Sequence, residues 1–440
     1  MNRSHVLLVL LSLLLFLSLL PPSSAGSSIY SFRATYTLTN TGPSEVEGWL
    51  EIFAFDNEHF GWDFQTVLEE SFSLPPQESR GEDNRVLRFS LGKLLPGRSG
   101  EVSLTQILRV SGRRWENLEG RGEIPQELLR LTEPVPNLWE NAPELREKAE
   151  ELKGETPYLT ARNIFEFVKD HVDYRILDWN QSALEVYRSR VGKCTDFTNL
   201  FIALARLSGL PAKFLAGYGY NPQFGDNAER MGHAFVALYL PGVGWVPVDE
   251  TWMGGQFGEL NEDHLLLFSS DGSNLVRDGE VSIPGERWSK VTRLDKTLLL
   301  CREAAAEVTV GKGGQENGKV GVVVSVRNRG RSTLEDLTVR LGVDESSFRP
   351  VPPQSVEELA PGRSTDLIFY LEPLKGVENS PVEAEVEARS PYGQVSSEGT
   401  LLLTVVLQPA QGPSLPSLQL LLLLVGALAL VLVLALRLRR

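Results

Sequence analysis

The chain has 440 residues, of which 43 are Lys or Arg and 57 are Asp or Glu, so its formal net charge is −14. This length allows two to four domains. The acidic balance disfavours nucleic acid as a partner, because phosphate backbones are bound by Lys and Arg. The hydrophobic content of 42% is typical of a globular chain with membrane segments, and two cysteines in so long a chain do not make a disulfide framework.

The first 26 residues have the pattern of a secretory signal peptide. Arg3 gives a basic start, Val6–Leu20 is apolar apart from two serines, and Ser23-Ser24-Ala25 offers a cleavage site after two prolines. The alternative is an uncleaved anchor, but the 15 residues of the apolar stretch are short for a membrane span of about 20. We therefore expect residues 1–26 to be removed and the rest of the chain to be exported.

Residues 27–112 are predicted to form a β-sandwich module. Apolar and polar residues alternate at its start, as expected for a strand with one buried face; the apolar positions are Tyr30, Phe32, Ala34, Tyr36 and Leu38. Asn40-Thr41-Gly42-Pro43 then turns the chain. Because this stretch has no cluster of His, Cys or paired acids, we expect a structural or positioning role. Residues 113–136 are charged and contain prolines, which indicates a linker.

Residues 135–300 are predicted to form a domain of helices followed by strands. Asn141 is expected to cap a helix that has Pro143 in its first turn. Ala161–Val172 carries a broad apolar stripe at helical spacing. Ser182–Ser189 is predicted to form a further short helix before Cys194.

A helix is predicted to begin at Cys194, because apolar residues recur at helical spacing after it; they are Phe197, Leu200, Phe201, Leu204 and Leu207. Gly209 and Pro211 would end this helix. At the first turn, the unpaired N–H groups and the helix dipole would stabilise a Cys194 thiolate. Lys193 adds a cation. Asp196 is expected to cap the helix, with an ion pair to Lys193 as the alternative.

Strands are predicted next, at Lys213–Tyr220, Gly232–Leu240 and Trp245–Asp249. His233 lies near the start of one strand and Asp249 at the end of the following one, so a short hairpin would bring them side by side. Asp249 would then orient the His233 ring towards Cys194, which is the chemistry of a thiol nucleophile, a general base and an orienting carboxylate. On these residues alone, a core cysteine and a structural histidine remain the alternative.

This stretch resembles the transglutaminase-like superfamily, the papain-related thiol enzymes whose core is a Cys-bearing helix packed on a small antiparallel sheet. The resemblance covers roughly residues 135–260 and is carried by short motifs in the family's order: Gly192-x-Cys194-x-Asp196, Leu207-Ser208-Gly209-Leu210-Pro211-Ala212, Gly217-Tyr218, Gly232-His233-Ala234-Phe235 and Gly244-Trp245-Val246-x-Val248-Asp249-x-Thr251. The spacings of 39 residues from Cys to His and 16 from His to Asp suit the family. Phe235 is a departure, because the family more often has Trp there; it would reshape the pocket and leave the triad intact.

The resemblance implies that Cys194, His233 and Asp249 form a catalytic triad. Papain-like enzymes also need hydrogen-bond donors for the oxyanion. The Cys194 backbone N–H is one candidate, because it lies at a helix start. The side-chain candidates precede it in the sequence; they are Trp179, Asn180 and Gln181.

Residues 301–408 are predicted to form a second β-rich module. Val320, Val322, Val324 and Val326 alternate with other residues, as in a half-buried strand. Two turn signatures of residues 27–112 occur here again, an Asn-x-Gly turn and a Pro-Gly-Arg-Ser turn. Both modules are therefore predicted to be immunoglobulin-like sandwiches, with a shared turn chemistry as the alternative explanation.

The last part of the sequence predicts a membrane anchor. Pro409–Ser417 is a short linker, and Leu418–Leu436 has 19 residues without a charge, which is long enough for a transmembrane helix. The arginines after it favour the cytoplasmic side, so the preceding domains would lie outside the cytoplasm on a cell membrane. Cys301 lies at the seam before the second module. A bridge between Cys194 and Cys301 would block catalysis, and we expect Cys194 to be free.

The whole sequence thus predicts an α+β protein: a papain-like transglutaminase core, two flanking β-sandwich modules and a C-terminal transmembrane helix. Its expected function is that of a membrane-anchored thiol enzyme outside the cytoplasm, acting on peptide or carboxamide bonds of a protein or peptide through a thioester. Hydrolysis is favoured over acyl transfer, because water is abundant there and no lid is evident. The alternative is a non-catalytic surface module for binding or adhesion.

No essential cofactor or metal is expected. The sequence has no metal-ligand cluster and no Asp-x-Asp-x-Asp-Gly loop of the calcium-binding type. Some animal transglutaminases use calcium, so this expectation rests on the residues of this chain and not on the resemblance.

Overall fold

The structure, a computed structural model, describes residues 26–57, 60–80, 84–273 and 286–405. The predicted signal segment, apart from Gly26, and the predicted transmembrane segment 418–436 lie outside these ranges. Within them, no helix is both long enough and apolar enough to cross a membrane.

Most of the described residues with regular structure are in β-strands, and the α-helices occur together between residues 143 and 207. The helices are α1 (Pro143–Glu151), α2 (Pro157–His171), α3 (Ala183–Ser189) and α4 (Cys194–Leu207). The strands are β1 (Ser27–Asn40), β2 (Val46–Ala54), β3 (Gln65–Phe72), β4 (Gln77–Arg80), β5 (Arg85–Leu94), β6 (Ser99–Ser111), β7 (Arg113–Arg114), β8 (Asp173–Tyr174), β9 (Val191–Gly192), β10 (Ala212–Gly219), β11 (Gly232–Leu240), β12 (Gly244–Asp249), β13 (Gln256–Phe257), β14 (Glu259–Leu260), β15 (His264–Ser270), β16 (Arg287–Trp288), β17 (Thr292–Ala304), β18 (Ala306–Glu316), β19 (Lys319–Asn328), β20 (Leu334–Val343), β21 (Gln354–Leu359), β22 (Ser364–Leu371), β23 (Val377–Ser390) and β24 (Gly393–Val405).

A five-stranded antiparallel sheet with the order β13-β12-β11-β10-β15 forms the centre of the molecule. Helix α4 packs on its β10 and β11 strands, and the other three helices pack on α4. Buried residues therefore lie all around α4 and not on one face only, as expected for a central helix. This confirms the predicted core, a Cys-bearing helix on a small antiparallel sheet.

The ends of the helices follow their local sequence, with one correction. Helix α4 begins at Cys194 and ends at Leu207, as predicted. Ser182 caps α3, where its side chain and that of Glu185 exchange hydrogen bonds with each other's backbone N–H groups. The prediction that Asn141 caps α1 is wrong: the N-cap residue is Ala142, because Pro143 is the first helical residue. From one position further out, the Asn141 oxygen accepts a hydrogen bond from Arg146 instead.

The two outer β-rich regions share strands. Strand β1 pairs with β6 on one side and with β17 along nearly its whole length on the other, and it also touches β24 through the pair Ser27 and Ser396. The predicted boundary between residues 300 and 301 thus falls inside β17. Alternation of apolar residues reports which face of a strand is buried, and it does not report the partner strand. The predicted linker 113–136 contains β7, which pairs with β14, and a 3₁₀ helix at Gln126–Thr132.

The region of β1–β6 packs directly against the central sheet. Most of its buried apolar side chains belong to the same hydrophobic cluster as those of α4 and β10–β12. The Phe32 and Tyr218 rings lie 5.4 Å apart, and the Trp62 indole N–H donates to the Trp245 carbonyl oxygen. Strands β18–β24 surround a second cluster. The site described below therefore rests on a scaffold to which the N-terminal strands contribute.

We expect Gly217→Ala to destabilise the central sheet. Gly217 is on β10, opposite His233, and an added Cβ would lie 1.8 Å from the Leu265 carbonyl oxygen of β15. Relief of this clash requires the strands to separate, which costs about 1–3 kcal/mol or more. Thermal unfolding measures the loss. Gly311→Ala is the control, because a Cβ there meets nothing within 4 Å; equal melting temperatures for the two variants would contradict the expected clash.

Candidate active site

Cys194 is held at the start of α4 by the buried carboxylate of Asp196. One Asp196 oxygen accepts the backbone N–H of Lys193 and the other accepts that of Gln181, each at 2.9 Å. Burial raises the pKa of this carboxyl group although the two N–H groups act in the opposite direction. A Cβ on Gly192 would lie 2.6 Å from the Cβ of Asp196, so only glycine fits there without a shift. The predicted capping role of Asp196 is confirmed.

His233 and Asp249 meet on one face of the β11–β12 hairpin. The register pairs Val236 with Val248, which makes His233 a diagonal neighbour of Asp249. The ring Nε2–H of His233 donates to Asp249 Oδ2 at 2.6 Å. The other ring nitrogen is then available to the Cys194 thiol, with which His233 also forms a hydrogen bond. The predicted proximity of the three side chains is confirmed.

The Asp249 carboxylate is 1% exposed and accepts five hydrogen bonds. Its Oδ2 accepts hydrogen bonds from the rings of His233 and His264. Its Oδ1 accepts them from the Thr251 N–H, the Thr251 hydroxyl and the Trp252 N–H. The five distances range from 2.6 to 3.1 Å. Burial alone would raise the pKa of Asp249, but the His233 charge and the hydrogen bonds from both histidines hold it well below its usual value. Asp249 is therefore an anion at neutral pH.

Asp249 favours the Cys194 thiolate indirectly, through its effect on the pKa of His233. Burial would lower the pKa of His233, but the Asp249 charge, its hydrogen bond and the nearby thiol raise it to about 10. Burial would likewise raise the pKa of Cys194, but the hydrogen bond and charge of His233, with the Ala234 N–H, lower it below the usual value. Between these two pKa values the pair is a thiolate and an imidazolium, the form in which such a thiol is nucleophilic.

Among the predicted side-chain donors for the oxyanion, Gln181 makes its hydrogen bonds to groups other than Cys194. The Gln181 side chain is buried and donates to the Val191 carbonyl oxygen while its own oxygen accepts the Ser189 hydroxyl. The Trp179 ring is 57% exposed, and Asn180 is half-buried. These contacts connect Gln181 to the segment before the cysteine and not to its sulfur atom.

Tyr174 lies next to Cys194, and sequence reasoning missed it. The parallel pairing of β8 with β9 sets Tyr174 beside Gly192, which brings its hydroxyl near the Cys194 backbone N–H. The ring is 56% exposed, but burial of the hydroxyl end and the charges of Cys194 and Asp249 raise its pKa to about 12. The hydroxyl therefore keeps its proton near neutral pH. A tyrosine three residues after a helix end was the only sequence signal.

Comparison with known proteins agrees with this geometry. Residues 146–250 match the model of the transglutaminase-like superfamily. The chain contains a transglutaminase-like domain. It is 36% identical to an uncharacterised protein of Haemophilus influenzae over 75 residues, which are 13% of this chain and 20% of that protein. It is 25% identical to the human Kyphoscoliosis peptidase over 118 residues, which are 25% of this chain and 18% of the peptidase. The matched segments thus span about a fifth of each relative.

A solved structure of a candidate cysteine protease from Cytophaga hutchinsonii is similar to a larger part of the chain. The similarity covers 63% of this chain and 98% of the other, at 17% sequence identity and a TM-score of 0.42.

A second histidine, which sequence reasoning also missed, lies just after the matched residues. His264 begins β15, is completely buried and donates from Nε2 to Asp249 Oδ2 at 3.1 Å. Its Nδ1 lies 2.7 Å from Asn261 Oδ1. Burial, which outweighs the effect of Asp249, lowers the pKa of His264 below its usual value. A histidine followed by Leu265, Leu266 and Leu267 is a polar start to a buried strand, and this is the signal that could have found it.

The same three side chains could hold a metal ion, since ligand atoms of His233, Asp249 and His264 all lie within 4.8 Å of one another. Their orientation fits hydrogen bonds better. Both imidazole nitrogens approach a single oxygen, Asp249 Oδ2, at 2.6 and 3.1 Å, which is the arrangement of two N–H donors on one acceptor. A metal would need both lone pairs and would take the place of the proton by which Asp249 orients His233.

Glu250, the residue next to Asp249, is in a different electrostatic environment. It is 3% exposed, and its Oε1 has no hydrogen-bond partner within the part of the chain that the structure describes. Burial and the neighbouring Asp249 charge raise the pKa of Glu250 well above its usual value. The pKa values of two adjacent carboxyl groups are thus shifted in opposite directions, that of Asp249 downward and that of Glu250 upward.

The two cysteines are both free, and their environments differ in charge. Cys301 is on β17, where burial and the charge of Glu303 raise its pKa to about 11. The two residues are similarly buried, with 9% of Cys194 and 6% of Cys301 exposed. A difference in thiol reactivity would therefore report electrostatics more than access.

Iodoacetamide at pH 6 to 7 is expected to alkylate Cys194 on the order of a hundredfold faster than Cys301, because only the thiolate reacts. As the pH falls, the rate at Cys194 should persist below the usual thiol pKa, since the shift there is downward. Mass spectrometry of the two peptides after timed quenching measures both rates. His233→Ala should slow Cys194 alone; equal rates at the two cysteines in the unaltered chain would contradict the ion pair.

Proposed function

We propose that this protein is a thiol enzyme that cleaves peptide or carboxamide bonds through a thioester on Cys194. One observation carries the proposal: His233 donates to the buried Asp249 carboxylate at 2.6 Å and meets a Cys194 thiol of lowered pKa on its other side. A module that only binds would gain nothing from a buried anion that charges an imidazole next to a thiol. The similarity to the Kyphoscoliosis peptidase, a protein named as a peptidase, supports the same class of reaction.

The proposed reaction begins when the Cys194 thiolate attacks the carbonyl carbon of the amide. The carbonyl oxygen becomes an oxyanion, and the Cys194 backbone N–H and the Tyr174 hydroxyl are the donors that flank it. The His233 imidazolium gives its proton to the leaving nitrogen, the C–N bond breaks and a thioester remains. His233 then takes a proton from water, and the hydroxide attacks the thioester. Loss of the thiolate releases a carboxylic acid and restores the ion pair.

Hydrolysis is favoured over acyl transfer, although both use the same residues. Transfer requires an amine to reach the thioester before water does. Tyr174, which lies next to Cys194, is more than half exposed, and this supports access of water to the thioester. The proposed substrate is a protein or peptide.

The proposed setting is the outer face of a cell membrane. Its support is the apolar sequence of residues 6–20 and 418–436, together with the arginines that follow the second segment. Both segments lie outside the described residues.

Asp249→Asn is expected to reduce turnover by a factor on the order of hundreds or more, because an amide can hold His233 in the wrong tautomer. Glu250→Gln is the matched control. Burial and the Asp249 charge already favour the uncharged form of Glu250, so its amide should leave turnover nearly unchanged. Cleavage of a peptide mixture is followed by mass spectrometry with and without added hydroxylamine, and Cys194→Ser sets the baseline. Acyl hydroxamates report the thioester, and an active Cys194→Ser variant would refute the proposal.

Tyr174→Phe tests the oxyanion donor. This change removes the hydroxyl and keeps the exposed ring, so kcat should fall by about 10²–10³ with little change in KM. Trp179→Phe removes the indole N–H of the rival candidate and should leave kcat within a few fold. Steady-state kinetics on a peptide cleaved by the unaltered chain give both values. The opposite pattern, with a loss for Trp179→Phe only, would assign the role to Trp179.

A further inference from the structure

The feature that the proposed triad leaves unexplained is the second imidazole on Asp249. His264 comes from β15, a strand that pairs with β10 and does not belong to the hairpin carrying His233 and Asp249. Its Nε2 reaches the same Oδ2 atom as His233. Two imidazoles on one buried carboxylate oxygen, His264 fully buried and His233 partly buried, make a four-residue chain that runs from His264 through Asp249 and His233 to Cys194.

We propose that His264 is a positioning residue for the triad: its Nε2–H fixes Asp249 Oδ2, so that the carboxylate holds His233 in the orientation that serves Cys194. This inference rests on the proposed function for its kinetic consequence and on the thiol chemistry of Cys194 for its independent test.

Different donors hold the two oxygens of Asp249. Oδ1 is fixed by donors that follow Asp249 directly in the chain, at Thr251 and Trp252. Oδ2 has only two donors in the described residues, His233 and His264. The hydrogen bond from His233 cannot count as independent support for Oδ2, because Oδ2 is the atom that orients His233. His264 is therefore the one independent donor on the oxygen that does the orienting.

His264 is itself held in place on every side that the structure describes. Asn261 Oδ1 faces Nδ1 at 2.7 Å, and the same oxygen accepts the Asp263 backbone N–H at 3.1 Å. The rings of Trp252 and Phe235 pack edge-on against the imidazole, with centroids 5.1 and 5.4 Å away. A donor with so little freedom loses little entropy when it holds Asp249, which is the property that a positioning residue needs.

The proton that Asp249 receives is required in either charge state of His264. With one proton, the ring must carry it on Nε2, because an ionised carboxylate is an acceptor only. With two protons, Nδ1–H donates to Asn261 Oδ1 and Nε2–H still donates to Asp249. The charged or titratable groups that face the ring are Asp249, His233 and Asp263.

The test compares a variant that keeps a donor with one that only fills space. His264→Gln can place an amide N–H near the position of Nε2, whereas His264→Leu has no donor. We expect His264→Leu to lower kcat on the order of 10- to 100-fold through a displaced carboxylate, with KM within about twofold because His264 is completely buried and cannot touch substrate. His264→Gln should restore most of that loss.

The second measurement needs no substrate. Alkylation of Cys194 by iodoacetamide at pH 6 reports the thiolate–imidazolium pair directly, and it should be slowed by His264→Leu and restored by His264→Gln. If the unaltered chain cleaves no peptide, the proposed function fails while this comparison still decides the role of His264. Equal alkylation rates for the two variants, with a difference only in melting temperature, would make His264 a structural core residue and overturn the inference.

A second pair of variants applies should His264→Leu fail to fold. Asn261 is only half-buried and supports His264 from outside. Asn261→Ala should slow the alkylation of Cys194 several-fold, since His264 loses its Nδ1 partner, and Asn261→Asp should restore it by keeping an oxygen there. An Asn261→Ala variant that reacts as fast as the unaltered chain would count against the inference.

Discussion

The buried carboxylate of Asp249 is the constraint on which the rest of this structure depends. An ionised carboxylate that is taken out of water is strongly unfavourable unless hydrogen bonds and opposite charge replace the water. Here the replacement comes from His233, from the backbone after β12 and from His264 on β15. These three segments must be in the correct register to place their donors on the carboxylate. The ionised state of Asp249 therefore depends on the register of the sheet.

From that anion the electrostatics follow in order along the site. Asp249 raises the pKa of His233 to about 10, and His233 in turn lowers that of Cys194. Glu250, one residue away, has its pKa shifted the other way, because burial and the Asp249 charge outweigh its backbone hydrogen bond and the more distant charge of His233. Partners, and not residue type, decide which of two neighbouring carboxyl groups is ionised. The fold places both histidines in hydrogen-bonding contact with Asp249 and leaves Glu250 Oε1 without a hydrogen-bond partner among the described residues.

Sequence was sufficient for the parts of the site that are local in the chain. Helix α4 follows from spacing within 14 residues, and His233 with Asp249 follows from one hairpin. Tyr174 and His264 were not predicted, because they are brought to the site by the pairings of β8 with β9 and of β10 with β15. No local sequence pattern specifies these pairings. The pairing of β17 with β1 escaped for the same reason: alternation along a strand marks its buried face but leaves its neighbour open.

The N-terminal strands have a specific relation to this site. Strand β15, which carries His264, is an edge strand of the central sheet. The Gln65 side-chain amide exchanges two hydrogen bonds with the backbone of Leu266, and the Asn84 amide does the same with Ser269. Each amide thus pairs with the edge of β15 as a neighbouring strand would. The backbone N–H and C=O groups of Leu266 and Ser269 are therefore not free to pair with another strand. The N-terminal region therefore completes the strand that supplies the second donor to Asp249, and its contribution to the site is to hold β15 in register.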